Sequence, residues 1–247
     1  MTPRRDLSVK YGQVFLQDTE VAQREVNLLG NIEGKKGLEI GCGPGILTRI
    51  LLEGGSHLTG IEPDHSHFDD LSRMFSDYVE TGKFNPIKST FEEFQPADFD
   101  FIIGNIPYSH SSAIVFGLVK FGFARAILMV QKEFGIRMAA LPGTAAYSRL
   151  SVNTHLHFAP RIEFHVSRKV FSPVPDVDSV VVSLVPKHVY LPVSEAVLDD
   201  ITRKIFSQRR KMLGNVFEKV PTGWEKIRGE TLSPEQIVDL AAFLHDL

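Results

Sequence analysis

Short apolar runs alternate with segments of helical period through the first three quarters of this chain. Apolar positions recur at helical spacing from about Asp18 to Leu29, with Asp18 placed to cap the first turn. A short buried strand is predicted at Gly37–Ile40, followed by a Gly-rich turn and the helical positions Ile46, Leu47, Ile50 and Leu51. The same alternation then repeats. Strands are expected at 57–61, 84–88, 99–104 and 124–130, with helices at 68–78 and 111–120 and another running through Arg137 to Ala140. A helix at about 148–157 leads to two β-rich runs, 161–166 and 179–185, which suit an antiparallel closing hairpin. Strands and helices taking turns in this way predict an α/β fold whose parallel sheet is covered on both faces.

Beyond residue 186 the pattern changes. Residues 186–192 read as a linker, and helices are expected at about 194–207, 208–219 and 233–245, the last opened by Ser233-Pro234-Glu235-Gln236. The expected organisation is therefore a catalytic α/β domain over 1–186, including an arm at 1–17, and a small helical domain over 187–247. No repeat or low-complexity tract interrupts either part.

Composition changes this picture little, and charge changes it more. With 43% hydrophobic and 23% charged residues, the 247-residue chain resembles an ordinary globular protein. Its single cysteine, Cys42, excludes an internal disulfide framework and a cysteine-rich zinc site. No secretory signal is visible at the start and no apolar run is long enough to span a bilayer, so a cytoplasmic protein without membrane contact is expected. The net charge of -3 is unevenly spread. Residues 1–124 hold 11 Lys and Arg against 17 Asp and Glu, whereas residues 125–219 hold 14 against 8. Charge segregated in this way makes one face attractive to phosphate although the whole chain is slightly acidic.

Two stretches carry candidate chemistry. The first is the turn Gly41-Cys42-Gly43-Pro44-Gly45 between a strand and a helix, where missing Cβ atoms let a ligand approach the backbone. An acidic residue, Glu62, ends the next strand 21 residues after Gly41, placed to accept hydrogen bonds from ribose hydroxyls. A dinucleotide site prefers the spacing G-x-G-x-x-G. Here Glu39 enters the loop and Pro44 separates its last two glycines, which resembles the first motif of S-adenosylmethionine-dependent methyltransferases. The second stretch is Asn105-Ile106-Pro107-Tyr108, which ends an apolar run at the place where open α/β sheets bind ligands. An amide, a rigid Pro and an aromatic ring suit a planar base with an exocyclic amine: the amide and nearby carbonyls accept from the amine, and the ring stacks on the base.

Taken together the motifs resemble those of the rRNA adenine dimethyltransferases, in particular the small-subunit branch that acts in ribosome biogenesis. The resemblance extends from Gly12-Gln13-x-Phe15-Leu16 through both stretches above to Gln131-Lys132-Glu133 and Pro142-Gly143-Thr144. It continues in Tyr147 to Val152, the Val170-Phe171-Ser172-Pro173 loop and Phe206-x-Gln208-Arg209-Arg210-Lys211. It implies a Rossmann-like S-adenosylmethionine-dependent methyltransferase sheet with a small C-terminal helical domain for RNA recognition. The implied reaction is dimethylation of the exocyclic amine of two adjacent adenosines near the 3′ end of small-subunit rRNA. The implied partner is the immature small subunit, bound by a monomer without any metal.

The resemblance assigns roles by position. Asn105, Ile106 and Pro107 would hold the amine, Tyr108 would stack on the flipped adenine, and Phe171 would close its other face. Gln13, Val14, Leu16, Gly41, Gly43, Gly45, Glu62, Thr90 and Asn105 would contact the cofactor. Val14 and Thr90 depart from the family: the first leaves only a backbone contact, and the second replaces a carboxylate with a hydroxyl, a difference of about 1 kcal/mol in a hydrogen bond. Glu92 or Glu93 is a substitute for that missing charge. Arg137, Arg149, Arg209, Arg210 and Lys211 are the candidate phosphate contacts, the last three expected at the start of a helix. Two other readings share many of these features, a large-subunit rRNA adenine methylase of the macrolide-resistance type and a ribosome-assembly factor with weak or lost methyl transfer.

Overall fold

A computed structural model describes residues 14–187 and 191–245. Gln13 and most of the expected arm lie outside the described residues. The chain divides into two compact units, one of residues 1–135 with 161–186 and one of residues 136–160 with 187–247.

The first unit is built on a seven-stranded sheet. In chain order its elements begin with β1 (Phe15–Leu16), α1 (Thr19–Asn27), β2 (Lys36–Ile40), α2 (Ile46–Glu53), β3 (His57–Ile61), α3 (His65–Met74), α4 (Ser76–Glu80) and β4 (Phe84–Ile87). They continue with β5 (Phe101–Asn105), α5 (Ser111–Gly117), β6 (Arg125–Gln131), α6 (Lys132–Met138), which runs into the second unit, and α7 (Arg149–His157), which lies within it. Next come β7 (Phe158–Val166), β8 (Phe171–Ser172) and β9 (Ser179–Pro186). The sheet order is β4-β3-β2-β5-β6-β9-β7. Each neighbouring pair from β4 to β6 is parallel, and β9 joins β6 antiparallel. The strand order therefore reverses between β2 and β5, and a crevice opens beyond the carboxyl ends of these two strands.

Local sequence explains most of the elements. Asp18 caps α1 by accepting the N–H groups of Glu20 and Val21, as expected. Asp64 does the same for α3 through Ser66 and His67, so this helix begins at His65, earlier than the apolar spacing indicates. It breaks at Phe75, whose buried ring packs edge-on against Phe84 at 5.8 Å between centroids. Strand β5 starts at Phe101, because the N–H groups of Phe99 and Asp100 turn to Gly122 and Lys36. Gly104 in β5 is required by packing, since a Cβ there would lie 2.6 Å from the Ile40 carbonyl oxygen. The expected β7 and β9 strands are neighbours, and the segment joining them contains β8, which pairs antiparallel with β1.

The second unit is helical, with α7, α8 (Glu195–Ser207) and α9 (Pro234–His245) around one apolar core. Residues 136–160 join the C-terminal segment in this unit because Tyr147, Val152 and Leu156 share a core with Leu198, Ile205, Ile237 and Leu240. Tyr147 is fully buried, and its hydroxyl donates to the Leu232 carbonyl at 2.9 Å. The helix expected over 208–219 does not form. Helix α8 ends at Ser207, and the chain then turns so that Leu213 N donates to Ile227 O at 2.8 Å and Gly214 N to Glu225 O at 3.2 Å. These long-range ties outweigh the helical propensity of the basic run. Among the described residues, no helix is long and apolar enough to cross a membrane.

Candidate cofactor and base site

The crevice between β2 and β5 is lined by Phe15, Leu16, Glu39, Gly41, Gly43, Glu62, Asn105 and Pro107, with Val14 at its edge. Gly41 adopts φ +74°, and a Cβ there would meet no atom within 4 Å. The loop thus presents bare backbone to an open cradle. Gly43 also has positive φ and stands close to the Phe15 ring. Gly45 caps the start of α2 but packs against Phe75 and Leu71, so its role is to let loop and helix close together.

Two buried carboxyl groups flank the loop. Glu62 accepts the Gly43 N–H at 2.7 Å on one oxygen and the Asp64 N–H at 2.9 Å on the other. Burial raises its pKa while the two N–H groups pull it back. An ionised carboxylate has about four acceptor sites, so two remain for ligand hydroxyls. Glu39 lies deeper and accepts the Thr48 hydroxyl at 2.7 Å, which ties β2 to α2. Burial pushes its pKa up to about 8. Together the residues fit a nucleoside cofactor: bare loop backbone for close approach, a carboxylate for ribose hydroxyls, and an open amide at the far wall.

That amide is Asn105, the last residue of β5. Its Oδ1 is buried and has no hydrogen-bond partner among the described residues. The next peptide is held rigid, since Ile106 N donates to Met129 O at 3.0 Å. The Pro107 carbonyl accepts the His110 N–H at 3.0 Å and the Ser111 hydroxyl at 3.3 Å, which closes the turn. Tyr108 is half-buried, and its hydroxyl shares a hydrogen bond of 2.9 Å with Ser179 at the start of β9. Burial raises the Tyr108 pKa, so the phenol stays protonated. Phe171 sits in β8 opposite Leu16 and is only 5% exposed, its ring within the apolar core. The structure thus brings Leu16 and Phe171 together, with the Phe171 ring covered.

Other sequence-based expectations fare differently. Thr90 is not among the residues lining the crevice. Its hydroxyl accepts the Glu93 N–H at 3.3 Å and donates to the Glu93 carboxylate at 3.0 Å. This is the arrangement of a capping box, and it commits Glu93 locally instead of freeing it for a ligand. In the second unit, Arg149 pairs with Asp199, which also binds Arg203 at 3.3 Å. Arg209 pairs with Glu230 at 2.6 Å and donates to the carbonyls of Ala145 and Thr144. The basic run Arg209-Arg210-Lys211 therefore lies in a turn after α8 and not in a helix, which corrects the expectation. Arg210, Lys211 and Arg137 are exposed and carry their charge to solvent.

Sequence reasoning missed three groups: Phe15 at the pocket wall, Ser179 as the partner of Tyr108, and Glu25. Glu25 is fully buried, and neither of its carboxyl oxygens has a hydrogen-bond partner among the described residues. A signal for it existed. It falls on the apolar stripe of α1 between Ala22 and Val26, where a carboxylate is out of place.

Over residues 5–238 the chain matches the family described as Ribosomal RNA adenine dimethylase. It is similar to the probable ribosomal RNA small subunit methyltransferase A of Methanospirillum hungatei JF-1, at 35% identity over 228 residues covering 90% of this chain and 89% of that protein. Its similarity to the ribosomal RNA small subunit methyltransferase A of Chlorobaculum tepidum is 35% over 239 residues, covering 94% and 86%. Among solved structures, a dimethyladenosine transferase from Plasmodium falciparum superimposes with a TM-score of 0.84 at 26% identity, covering 94% of this chain and 98% of that one.

Proposed function

The chain belongs to the ribosomal RNA adenine dimethylase family, and on that premise we propose which of its residues perform the reaction and on which adenosines. It is an S-adenosylmethionine-dependent rRNA adenine dimethyltransferase of the small-subunit type. The substrate we propose is a pair of adjacent adenosines near the 3′ end of the small-subunit rRNA, each receiving two methyl groups. They are presented by an immature small subunit to a monomer acting in the cytoplasm.

S-adenosylmethionine, when bound, supplies the electrophilic methyl group. Glu62 would accept from its ribose hydroxyls, and the Gly41 to Gly43 backbone would line its approach. Gln13, Val14 and Leu16 would border the cofactor from the N-terminal side. The target amine is a poor nucleophile because its lone pair is delocalised into the purine ring. Asn105 Oδ1 would accept one amine N–H, and the rigid Ile106–Pro107 backbone would hold the amine pyramidal with its lone pair aimed at the methyl group. No base is required before attack, since the amine becomes acidic only once it has been methylated. Tyr108 would stack on one face of the flipped adenine. Phe171 would cover the other face after its ring leaves the core. Arg210, Lys211 and Arg137 would hold phosphates, with Arg149 and Arg209 contributing only if they leave their carboxylate partners.

The observation that carries this reading is the buried, unpartnered Oδ1 of Asn105 at the end of β5, in the same crevice as the glycine loop and Glu62. A buried acceptor left open is costly and is kept where a ligand completes it. The test is transfer of labelled methyl from S-adenosylmethionine to unmethylated small subunits, with large-subunit rRNA in parallel. Dimethyladenosine confined to the small-subunit 3′ end is the expected product. Label only in large-subunit rRNA, or tight subunit binding without label, would overturn the reading.

A further inference from the structure

Glu25 is a buried carboxyl of the first unit that takes no part in the reaction above and, unlike Glu39 and Asp64, makes no hydrogen bond that ties two elements or caps a helix. It projects from α1 between Ala22 and Val26, both buried, and is itself 0% exposed. Carboxylates are almost never buried to this degree without a partner. The polar groups that act on it are the Asn105 carboxamide on β5 and the Glu39 carboxyl on β2. Glu39 is the charged group whose field raises the Glu25 pKa. Neither Glu25 oxygen nor Asn105 Oδ1 has a partner at full hydrogen-bond geometry among the described residues, while the Asn105 carboxamide lies near enough to favour the ionised Glu25. The Asn105 Nδ2 group can donate to the Glu25 carboxyl, but among the described residues nothing donates to Asn105 Oδ1. A proton on Glu25 resolves this. A neutral carboxyl has one O–H donor and one acceptor oxygen, and a carboxamide has the complementary pair. Small rotations of the two groups let them satisfy each other.

We propose that Glu25 is a positioning residue for methyl transfer, whose buried carboxyl pairs with the Asn105 carboxamide and fixes the plane in which that amide meets the target amine. The proposal rests on the reading of Asn105 as the amine acceptor. Burial raises the Glu25 pKa most, the Asn105 carboxamide pulls it back and Glu39 adds to the rise; the balance is upward, so the neutral form that the pair requires is the form the site favours. The pair uses one lone pair of Asn105 Oδ1 and leaves the other for the substrate. A carboxamide free to turn over would present its N–H2 to an amine that also donates, and such an encounter is unproductive. Glu25 accordingly acts on orientation, at one remove from the reacting atoms, and leaves the glycine loop and Glu62, the main contacts proposed for the cofactor, alone.

Three measurements on the full chain test this. Kinetics of methyl transfer to unmethylated small subunits are compared for the wild type, Glu25→Gln and Glu25→Leu. Calorimetry with S-adenosylmethionine and NMR of the Asn105 side-chain amide protons are run on the same proteins. In Glu25→Leu, kcat is expected to fall tenfold or more, the cofactor Kd to move less than twofold, and the Asn105 amide protons to lose their protection from exchange. Glu25→Gln, which keeps a neutral donor and acceptor, is expected to restore the protection, bring kcat within about threefold of the wild type, and remove any loss of kcat at alkaline pH. A folded Glu25→Leu protein with wild-type kcat and unchanged Asn105 protection would overturn the proposal. Should Glu25→Leu fail to fold, a Glu25→Gln protein lacking that protection would overturn it equally. A wild type that methylates no rRNA, yet whose Asn105 protection still follows Glu25, would refute the functional reading and leave the pair intact.

Discussion

Glu62 accepts the backbone N–H of Gly43 at 2.7 Å, so the carboxylate at the end of β3 holds the glycine loop at the end of β2. The two halves of the nucleoside-binding pattern are thus one hydrogen-bonded unit before any cofactor arrives. The loop, rich in glycine and costly to order, is fixed in advance by the group that would receive the ribose, and preorganisation of this kind lowers the cost of binding.

That relationship makes Glu62→Gln an informative change. Glutamine has the shape of glutamate, but one end of its amide is a donor. Either the Gly43 or the Asp64 N–H would then face another N–H group. Losing an acceptor for a buried donor at a charged group costs about 1.5–3 kcal/mol. Calorimetry should show S-adenosylmethionine binding at least tenfold weaker, and wild-type affinity in the variant would refute the role.

Glu39 predicts a pH dependence of stability. Its pKa is raised by burial from 4.5 to about 8, so between these values the folded state holds a proton that the unfolded chain has lost. The resulting stabilisation is complete below about pH 4.5 and is lost as pH rises to about 8, an effect on the order of a few kcal/mol. In Glu39→Gln the amide oxygen still accepts from Thr48 but no longer titrates. Denaturant melts of this variant should lose part of the fall in stability seen in the wild type between pH 5 and pH 8, the remainder belonging to Glu25 and Glu62, whose pKa values burial also raises. An unchanged slope would place the titration elsewhere.

Within the basic run, neighbouring residues should behave differently. Arg209 is tied to Glu230 and to two carbonyls, whereas Arg210 and Lys211 are exposed. Arg209→Ala should lower the stability of the helical unit by about 1 kcal/mol, a value kept small by its partial exposure. Arg210→Ala and Lys211→Ala should leave stability unchanged and weaken rRNA binding, each lowering the slope of log K against log salt by about one for a lost phosphate contact. Salt titrations of binding, paired with thermal melts, separate the two outcomes.

What could be read from sequence follows from how local the cause is. The Gly41 to Gly45 turn, Glu62 and the end of β5 were legible because short stretches of backbone chemistry define them. The apolar run at 57–61 predicts a strand where the structure has β3. The apolar stripe of α1 was legible too, but what its Glu25 faces depends on β5, which lies some eighty residues on. The same holds for Tyr108 with Ser179, and for β1 with β8. Residues 208–219 look helical alone, and only the strand-like ties of Leu213 and Gly214 to residues past 224 undo that preference. At Thr90 the opposite holds: the Thr-x-x-Glu spacing of a capping box lies within one short stretch of sequence, and it engages Glu93 locally.

Tyr108 allows the stacking and hydrogen-bonding parts of its role to be separated. Its hydroxyl reaches Ser179 at 2.9 Å, a contact between β9 and the turn after β5, while its ring is the proposed platform for adenine. Base stacking on an aromatic ring is worth about 1–3 kcal/mol, whereas a neutral hydrogen bond contributes about 1 kcal/mol to stability. Tyr108→Phe keeps the ring and gives up the hydroxyl, so kcat/KM should stay within a few-fold and the melting temperature should fall slightly. Tyr108→Ala removes the platform, and kcat/KM for methyl transfer should drop roughly 10- to 100-fold with S-adenosylmethionine affinity nearly unchanged. If the two variants lost activity equally, the hydroxyl and its tie to Ser179 would be the working part. Tyr108 would then hold the turn that carries Asn105 and would not support the base.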